Sequence, residues 1–412
     1  MTNILDIKQL NKFSHKKKII FFGRSDDLIT KTRKIFKKKI SFIVDNNKNL
    51  INQKYLNLDI YNPMILSKLD FSNYYIIITA TNCLGIASYL ENKVKLKNLK
   101  NFCISPVMND WVKLCLIKNY DRNIMFSCND FKNPNYGLRH SPGGGGIYIM
   151  NTKSNNYSKV LNGQFRCIRH YKNEIYISIE QFKGVVIFFN LKGKILNKIE
   201  LKIFKSNNNL SSNTTGLAID RKKEVLYVSD SYTDQIYIVS IKSKKIIKKI
   251  DFSKKYKKSN SYHHINDLYL KDNNLFVSYF SKSGRWKKNI FDGGVTKINL
   301  LSGKKKIIIN DLIKPHSIKF IKKNYLICNS VKGELILNGR VIGGFPGFLR
   351  GLDFDENYFF LGQSETLYMS EFKFKYKNIM NNAGIYLFDR KTKSSRFLAT
   401  PSIMNIHDIK VL

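Results

Sequence analysis

Several features that mark particular protein classes are scarce or missing in this chain of 412 residues. It has six cysteines, and none of them forms a Cys-x-x-Cys pair, which excludes the common zinc and thiol-redox motifs. The first apolar run, Ile19–Phe22, is four residues long and ends at a glycine, so it predicts a strand and not the apolar segment of a signal peptide. No apolar run approaches the ~20 residues that cross a bilayer. We therefore expect a cytoplasmic protein without a membrane span.

Short catalytic and phosphate-binding motifs are also missing. No Gly-x-Ser-x-Gly nucleophile elbow occurs, so the sequence gives no support for Ser-His-Asp catalysis. The run Gly143–Gly146 is not a P-loop, because no Lys-Ser or Lys-Thr follows it. We interpret this run as a flexible rim, the alternative being that its amides approach a ligand.

Acidic residues are few, with 30 Asp and Glu against 71 Lys and Arg, and the formal net charge is +41. Such an excess favours contact with polyanions. However, only 12 of the basic residues are arginine, and lysine occurs mainly in predicted turns such as 244–245 and 304–306. We therefore expect good solubility and loose contact with polyanions, without specific recognition of nucleic acid.

One pattern occurs six times after residue 120. Each copy contains a strand that ends in a small residue, and these strands are Ile124–Ser127, Ile175–Ser178, Leu226–Ser229, Leu275–Ser278, Tyr325–Cys328 and Phe359–Gly362. A further strand follows each of them and begins at Gly146, Gly184, Gln235, Gly294, Gly333 and Gly384. A repeat of roughly 35–60 residues with several strands per unit is typical of a β-propeller.

The two ends of this repeat region complement each other. The segment 124–160 lacks a preceding first strand, whereas the chain ends with a first strand, Ile406–Val411, that has no second strand after it. The simplest solution is that the C-terminal strand completes the 124–160 blade and closes the ring, since this leaves no open sheet edge. The sequence therefore predicts an all-β six-bladed propeller over residues 121–412.

The first 106 residues have a different pattern, in which short apolar strands alternate with helical segments. This alternation predicts a small parallel sheet flanked by helices, an α/β domain. Residues 107–120 have helical spacing and are predicted to connect the two domains. The glycine after the first strand (Gly23), the strand end Val44-Asp45-Asn46 and the strand Tyr75–Ala80 resemble the Rossmann-like domain attached to bacterial sugar-modifying and polysaccharide-biosynthesis proteins.

That resemblance implies a nucleotide-binding-like fold and a setting in cell-surface glycan biosynthesis. The phosphate turn of such domains reads Gly-x-Gly-x-x-Gly, whereas this chain has Gly23-Arg24-Ser25-Asp26-Asp27-Leu28. The negative charges of Asp26 and Asp27 are favourable in the first turn of a helix, whereas a bound pyrophosphate would need positive potential there. Asp45 lies about 20 residues after the glycine turn, the spacing at which such domains place an acid that contacts the ribose. Dinucleotide binding and a docking or vestigial role both remain open.

The first strands of the six repeats predict a polar funnel. Two positions before the first apolar residue of each strand, every side chain is polar: Arg166, Thr215, Asn266, His316, Arg350 and His407. Two positions further upstream stand Gln164, Asn213, His264, Lys314, Phe348 and Asn405. Because side chains alternate along a strand, both sets share a face, and the inner strands of a propeller line its central channel.

From this funnel we predict a ligand site. His316 and His407 are the candidate acid and base, since an unperturbed imidazole titrates near neutrality. The two arginines favour an anion such as a carboxylate or phosphate. The predicted ligand-binding residues are Arg166, Asn213, Thr215, His264, Asn266 and Arg350, with Glu180, Asp230 and Gln363 from the ends of the second strands.

A metal is the alternative ligand of this funnel. His264, Asn266, Asp267, His316, His407 and Asp408 are all of ligand type. His264-Ile265-Asn266-Asp267 resembles the Asn-Asp pair of metal-dependent gluconolactonase-like propellers, which implies a hydrolase. The glutamate ligand of those enzymes has no counterpart in this sequence. Two arginines in the same ring would also repel a cation.

Three segments resemble a family of bacterial propeller proteins of unknown function: Pro315-His316-Ser317, Gly333-Glu334-Leu335 and Phe345–Leu352. The glycines before Ile147 and the segment Gly384-Ile385-Tyr386 fit the same family. The resemblance spans residues 120–412 and implies the fold without an activity. We expect the funnel to bind or process an anionic sugar or sugar acid, the alternatives being a scaffold for a protein partner and a metal-dependent hydrolase.

Overall fold

The chain forms two compact units, Met1–Asn119 and Tyr120–Leu412. The computed structural model describes residues 5–201, 203, 213–252, 262–365 and 378–412, with the backbone alone for 136–138. Within these ranges, none of the helices combines the length and apolar character needed to cross a membrane.

Six strands form one mixed sheet in the first unit. Across the sheet they lie in the order Lys54–Tyr55, Leu58–Tyr61, Ile40–Val44, Lys18–Phe22, Tyr74–Ile78 and Phe102–Ile104. Its α-helices are Ile7–Phe13, Asp26–Ile35, Cys83–Asn92 and Asn109–Lys118, and shorter 3-10 helices cover Lys48–Leu50, Pro63–Lys68 and Pro106–Met108. Asp26 and Asp27 stand in the first helical turn, where their charge is favourable.

The predicted parallel sheet needs one correction at its edge. The strands Lys54–Tyr55 and Leu58–Tyr61 pair antiparallel, whereas every other described pair in this sheet is parallel. Leu56 and Asn57, between the two edge strands, adopt positive φ angles of 47° and 61°. A two-residue turn of this handedness reverses the chain into a hairpin.

The segment predicted as a connector belongs to the first unit for most of its length. Met108 and Val112 are buried in the core of that unit, while Trp111 and Leu114 are about half exposed. The boundary between the compact units falls after Asn119.

The second unit is a β-propeller of six four-stranded antiparallel sheets, as the repeat predicts. We number the blades in the chain order of their second strands. Blade 1 contains Asp408–Val411, Asn123–Cys128, Gly146–Asn151 and Tyr157–Asn162; blade 2 contains Phe165–His170, Tyr176–Glu180, Val185–Phe189 and Ile195–Glu200; blade 3 contains Thr214–Asp220, Val225–Asp230, Gln235–Ser240 and Lys245–Asp251.

The other three blades have the same order of strands. Blade 4 contains Ile265–Lys271, Asn274–Tyr279, Gly293–Asn299 and Lys305–Leu312; blade 5 contains Pro315–Ile321, Asn324–Asn329, Glu334–Leu337 and Arg340–Gly344; blade 6 contains Phe348–Phe354, Tyr358–Ser364, Gly384–Asp389 and Ser395–Ala399. Two 3-10 helices, Pro134–Arg139 and Trp286–Lys288, lie in loops between second and third strands.

A β-bulge interrupts the first strand of blades 2 to 6. In blade 5 the register shifts between His316 and Lys319, and Ser317 between them has a φ of 62°. In blade 6 the shift follows Arg350, and Gly351 has a φ of 74°. A bulge bends the strand and interrupts the regular alternation of its side chains. The direction of the polar side chains at the start of the strand is therefore not fixed by the direction of the apolar side chains after the bulge.

The C-terminal strand Asp408–Val411 pairs antiparallel with Asn123–Cys128 in blade 1. Asp408 in this strand is buried, and its carboxylate accepts a hydrogen bond from the Ile168 backbone N–H at 3.0 Å. The same carboxylate forms an ion pair with Arg169 of blade 2. The first strand of blade 1 is thereby bound to the first strand of its neighbour.

We expect Asp408→Asn to lower the free energy of unfolding of the propeller by about 3–5 kcal/mol, because it leaves the Arg169 guanidinium partly buried without its counter-charge. The matched control is Glu224→Gln, which removes a carboxylate from an exposed pair with Lys172 and should change little. Urea unfolding of both variants measures the difference. Equal effects would show that the Asp408 pair does not anchor the C-terminal strand.

Candidate functional site

A cavity of about 550 Å³ lies at one end of the central channel of the propeller. The first strands of blades 2, 5 and 6, the residues directly before the first strands of blades 1, 3 and 4, and the loops after several second strands contribute to its wall. Its lining residues are Asn129, Arg139, Arg166, Gln181, Phe182, Asn213, Tyr232, His264, Phe280, Trp286, Lys287, Asn289, Phe291, Lys314, His316, Arg350, Asn405 and His407.

Segments that are far apart in sequence therefore meet in one site, as the alignment of the first strands predicts. Six of the predicted site residues line the cavity: Arg166, Asn213, His264, His316, Arg350 and His407. Lys314 and Asn405, from the second upstream set of the same alignment, line it as well.

Two further predicted residues, Thr215 and Asn266, lie outside the cavity lining. Thr215 is buried, and its hydroxyl donates to the Ile265 carbonyl at 3.1 Å, so it joins the first strands of blades 3 and 4. Asn266 is also buried, and its Oδ1 is 3.5 Å from Arg166 Nη2. Asn266 thus supports a lining residue, whereas Thr215 serves the strand contact.

The three predicted residues from the ends of second strands are engaged elsewhere. Glu180 forms an ion pair with Lys183 at 2.9 Å. Asp230 is fully buried and accepts from the Tyr232 backbone N–H at 2.7 Å, and burial raises the pKa of its carboxyl to about 6. Gln363 donates to the Asn382 carbonyl at 2.7 Å and accepts from the Tyr386 hydroxyl at 2.9 Å. None of these three side chains lines the cavity.

Some of the lining residues that were not predicted from the sequence stand directly after the end of a second strand. Gln181 follows Glu180, and Phe280 follows the end of the second strand of blade 4. Because neighbouring residues in a strand point to opposite faces, an error of one position exchanges a lining residue for one that points away. Choosing the residue directly after each second strand, instead of the last residue of that strand, identifies Asn129, Gln181 and Phe280.

A chain of hydrogen bonds follows the polar part of the wall. Arg166 Nη1 donates to His407 Nδ1 at 2.6 Å, and His407 Nε2 donates to Asn129 Oδ1 at 2.7 Å. Asn129 Nδ2 donates to Gln181 Oε1 at 2.6 Å, and Gln181 Nε2 donates in turn to Asn213 Oδ1. Each of His407, Asn129 and Gln181 accepts from the residue before it in this chain and donates to the next, an arrangement in which hydrogen bonds strengthen one another.

The protonation state of His407 follows from its two partners. A guanidinium can only donate, so Nδ1 must accept from Arg166, and Nε2 carries the one ring proton that it donates to Asn129. Burial, followed by the charges of Arg166 and Arg350, holds the pKa of this imidazole well below its ordinary value of 6.5. His407 is therefore a neutral hydrogen-bonding group.

His316 is neutral as well, but with the opposite tautomer. Its Nδ1 lies 2.8 Å from the Lys314 carbonyl oxygen, which can only accept, so Nδ1 carries the proton. Nε2 is then an acceptor, and it is buried without a hydrogen-bond partner in the part of the chain that the structure describes. Burial and the nearby guanidinium groups of Arg350 and Arg166 hold the pKa well below 6.5. The expectation that His316 and His407 titrate near neutrality is therefore corrected.

His264 belongs to an aromatic part of the wall. Its ring stacks on Phe280 with the centroids 4.3 Å apart and lies 4.6 Å from the ring of Trp286. Burial, followed by the charge of Arg166, lowers the pKa of this histidine to about 3. It too presents a neutral ring at physiological pH.

The charge of the wall has one sign. Five cationic residues line the cavity, namely Arg139, Arg166, Lys287, Lys314 and Arg350, and no carboxylate occurs among the described lining residues. Lys314 is 3% exposed, and its ammonium lies 4.4 Å from the centre of the Phe291 ring, a cation–π contact. A cavity of this composition attracts anions.

The other end of the channel has a different charge arrangement. A cavity of about 360 Å³ there is lined by Arg169, Lys319, Asp353 and Lys410, among others. Lys410 pairs with Asp353 at 2.8 Å, and Lys319 lies 4.0 Å from the Asp408 carboxylate that also holds Arg169. Arg169, Lys319 and Lys410 at this end thus have carboxylate partners, which makes it a weaker candidate for an anion.

The carboxylates proposed as metal ligands are engaged in structural contacts. Asp267 accepts from the Ser317 backbone N–H at 2.6 Å, and Asp408 holds Arg169. Within the described part of the chain, no group of three or more His, Cys, Asp or Glu side chains has a metal-binding arrangement. The donors that line the cavity are neutral imidazoles beside arginines, a set that suits a cation poorly.

The four-glycine run is packed and does not form the flexible rim expected from the sequence. Gly143 N–H donates to the Ser402 carbonyl at 2.7 Å, and a Cβ on Gly143 would come 2.5 Å from that oxygen. The Tyr148 hydroxyl donates to the Gly144 carbonyl at 2.6 Å. These glycines allow close backbone packing within blade 1.

Comparison with known protein families finds one family model, without an assigned function, that matches part of the chain. The family model described as Domain of unknown function (DUF4915) matches residues 249–412. This bears out the resemblance to a propeller family of unknown function for that segment. No curated protein matches the chain.

Solved structures similar to this chain include three with low sequence identity. A nidogen/laminin complex chain has 8% identity and a TM-score of 0.49, and the match covers 71% of this chain and 98% of that one. A protein of unknown function from Bacteroides caccae has 12% identity and a TM-score of 0.46, with 70% and 98% covered. The Myceliophteria thermophila Cps50 (Swd1) β-propeller domain has 12% identity and a TM-score of 0.34, with 59% and 88% covered.

The buried neutral histidines predict a loss of stability in acid. Between pH 6.5 and the lower pKa values of the folded state, the unfolded chain binds protons at His316 and His407 that the native state does not bind. The free energy of unfolding therefore falls as the pH falls, by up to about 1.4 kcal/mol per pH unit for each histidine. Urea unfolding between pH 7.5 and 5 should show a smaller slope for His407→Gln than for the wild type. An unchanged slope would contradict the neutral assignment of His407.

Proposed function

We propose that the propeller binds an anionic small molecule, of the sugar or sugar-acid type, in the cavity at the end of its channel. The observation that carries this proposal is the convergence of Arg166, Arg350 and Lys314 on one cavity whose described lining contains no carboxylate. Partial shielding from water lowers the effective dielectric constant in a cationic cavity, and the attraction between the cavity and an anion is therefore stronger. Arginine also matches carboxylate and phosphate groups with two parallel hydrogen bonds.

The neutral histidines support binding more than proton transfer. A general acid or base works best with a pKa near the operating pH. Burial and the arginines hold the pKa values of His316 and His407 well below that range. In the proposed site they act as hydrogen-bonding groups that orient the ligand.

We also propose that the first unit is a Rossmann-like domain with a docking role, in a protein of cell-surface glycan biosynthesis. Its parallel strands joined by helices support the fold assignment. Asp45, at the spacing of a ribose contact, accepts from the backbone N–H groups of Arg24 at 2.6 Å and Asn47 at 2.8 Å. A Cβ on Gly23 would come 2.3 Å from the Cβ of Ala80, so this glycine serves packing. These contacts favour docking over dinucleotide binding.

The proposed ligand class is tested with the purified full-length protein and a panel of sugar phosphates, uronic acids and divalent metals. We expect anions to raise the melting temperature, since a ligand that binds only the native state stabilises it. Arg350→Ala should weaken the binding of a responding anion about tenfold to a hundredfold, the effect of losing one charged hydrogen bond. Isothermal titration calorimetry measures this change.

Arg340→Ala is the matched control, because Arg340 is exposed on the last strand of blade 5 and its loss changes the net charge by the same amount. It should leave the affinity unchanged. Equal weakening by both variants would indicate a nonspecific charge effect and contradict the proposed site. A response to metals alone, or no response at all, would also contradict it, the latter favouring a scaffold.

A further inference from the structure

The wall of the cavity has an aromatic half. The His264 ring contacts the rings of Trp286 and Phe280, with centroid separations of 4.6 and 4.3 Å. We call these three residues the aromatic half. None of them is ionised at neutral pH, because burial lowers the pKa of His264 to about 3. This half offers ring faces to a ligand.

The cationic half of the wall consists of Arg166 and Arg350, with His407 between them. Arg166 Nη1 donates to His407 Nδ1 at 2.6 Å, and Arg350 Nη1 lies 3.4 Å from the other ring nitrogen of His407. His407 therefore brings the two guanidinium groups to the same part of the cavity. Two adjacent guanidinium groups form a strong site for one carboxylate or phosphate.

His316 stands at the junction of the two halves. Its ring meets Phe280 of the aromatic half edge-on, with the centroids 5.3 Å apart. On the other side it contacts Phe348 at 5.8 Å, and the Arg350 guanidinium lies over the Phe348 ring at 4.6 Å. A ligand that reaches from the arginines to the aromatic half therefore passes His316.

The side chain of His316 presents a defined acceptor at this junction. Because Nδ1 donates its proton to the Lys314 carbonyl, the lone pair is on Nε2. Nε2 is buried and has no hydrogen-bond partner among the described residues, and His316 is 3% exposed. A buried acceptor without a partner is unfavourable, and a ligand that donates a hydrogen bond to it removes that penalty.

We propose that the ligand of this cavity has three parts: an anionic group held by Arg166 and Arg350, a ring that packs against the aromatic half, and a hydroxyl or amino group that donates to His316 Nε2. This inference rests on the proposed function and narrows it. Hydroxylated or aminated ring anions, such as uronic acids, satisfy all three requirements. Inorganic anions and unsubstituted carboxylates do not. His316 is the specificity-determining residue.

His316 is expected to discriminate between ligands that carry a hydrogen-bond donor and analogues that lack one, as other sites that hydrogen-bond their ligand do. Such a site rejects an analogue without the donor, because the acceptor of the protein then stays unpaired. A purely apolar pocket discriminates much less strongly between two ligands of the same size. The presence or absence of ligand hydroxyls is therefore the sharpest test.

Two six-membered-ring monocarboxylates separate this inference from the proposed function. D-glucuronate carries ring hydroxyls, and cyclohexanecarboxylate has the same charge and ring size without them. Calorimetric titration of the full-length protein should show at least about tenfold tighter binding of glucuronate. Equal affinities would overturn the three-part ligand but leave an anion site in place. Failure of both compounds and of every sugar phosphate would overturn the proposed function as well.

Two variants of His316 test the acceptor itself. In His316→Asn, the amide nitrogen can replace Nδ1 as donor to the Lys314 carbonyl, but no atom reaches the position of Nε2. In His316→Gln, the longer side chain can place its oxygen there. We expect His316→Asn to weaken glucuronate about tenfold without affecting cyclohexanecarboxylate, and His316→Gln to bind glucuronate more tightly than His316→Asn does.

Melting temperatures of the unliganded variants show whether both are folded. Equal weakening of the two ligands by His316→Asn would indicate a general disturbance of the cavity and overturn the role of Nε2. If neither variant folds, the comparison of the two ligands on the wild-type protein decides the inference alone.

Discussion

The pairing of the C-terminal strand with blade 1 is the constraint on which the candidate site depends. His407 N–H donates to the Ser127 carbonyl at 2.9 Å, and the Asp408 N–H donates to the Ser127 hydroxyl at 3.0 Å. That hydroxyl in turn donates to the Arg166 carbonyl in blade 2. These bonds place His407 between Arg166 and Asn129, which precede it in the chain by more than 200 residues. Without this pairing, the polar chain of the wall would lack its central member.

The chemistry of the cavity follows from how the buried polar groups are satisfied. Burial, followed by the charges of Arg166 and Arg350, holds the pKa values of His316 and His407 low and keeps both rings neutral. Neutral imidazoles then accept from arginine or from a ligand, which a protonated ring could not do. At the opposite end of the channel, Arg169, Lys319 and Lys410 have carboxylate partners. Two ends of one channel thus differ in their capacity to hold an anion.

The sequence predicted which side chains line the cavity where strand geometry alone decides the position of a side chain. Arg166, His316, Arg350 and His407 stand at the same place in four first strands, so they reach the same end of the channel. The prediction failed at Glu180, because the adjacent Gln181 has the face that lines the cavity. Of the aromatic half, only His264 was predicted, because Phe280 and Trp286 lie in the loop after the second strand of blade 4. The loops between second and third strands differ widely in length among the blades, so the repeat pattern carries no information about their side chains.

The sequence by itself determined the six blades, the α/β character of the first unit and the set of polar residues before each first strand, because periodicity and turn residues are local properties of the chain. Only the tertiary structure decided which of those residues share one cavity. It also decided the tautomers of His316 and His407, since each depends on a partner fixed by the folded backbone. The pKa of an imidazole depends on its burial and on charges from other blades. These quantities exist only once distant segments are packed together.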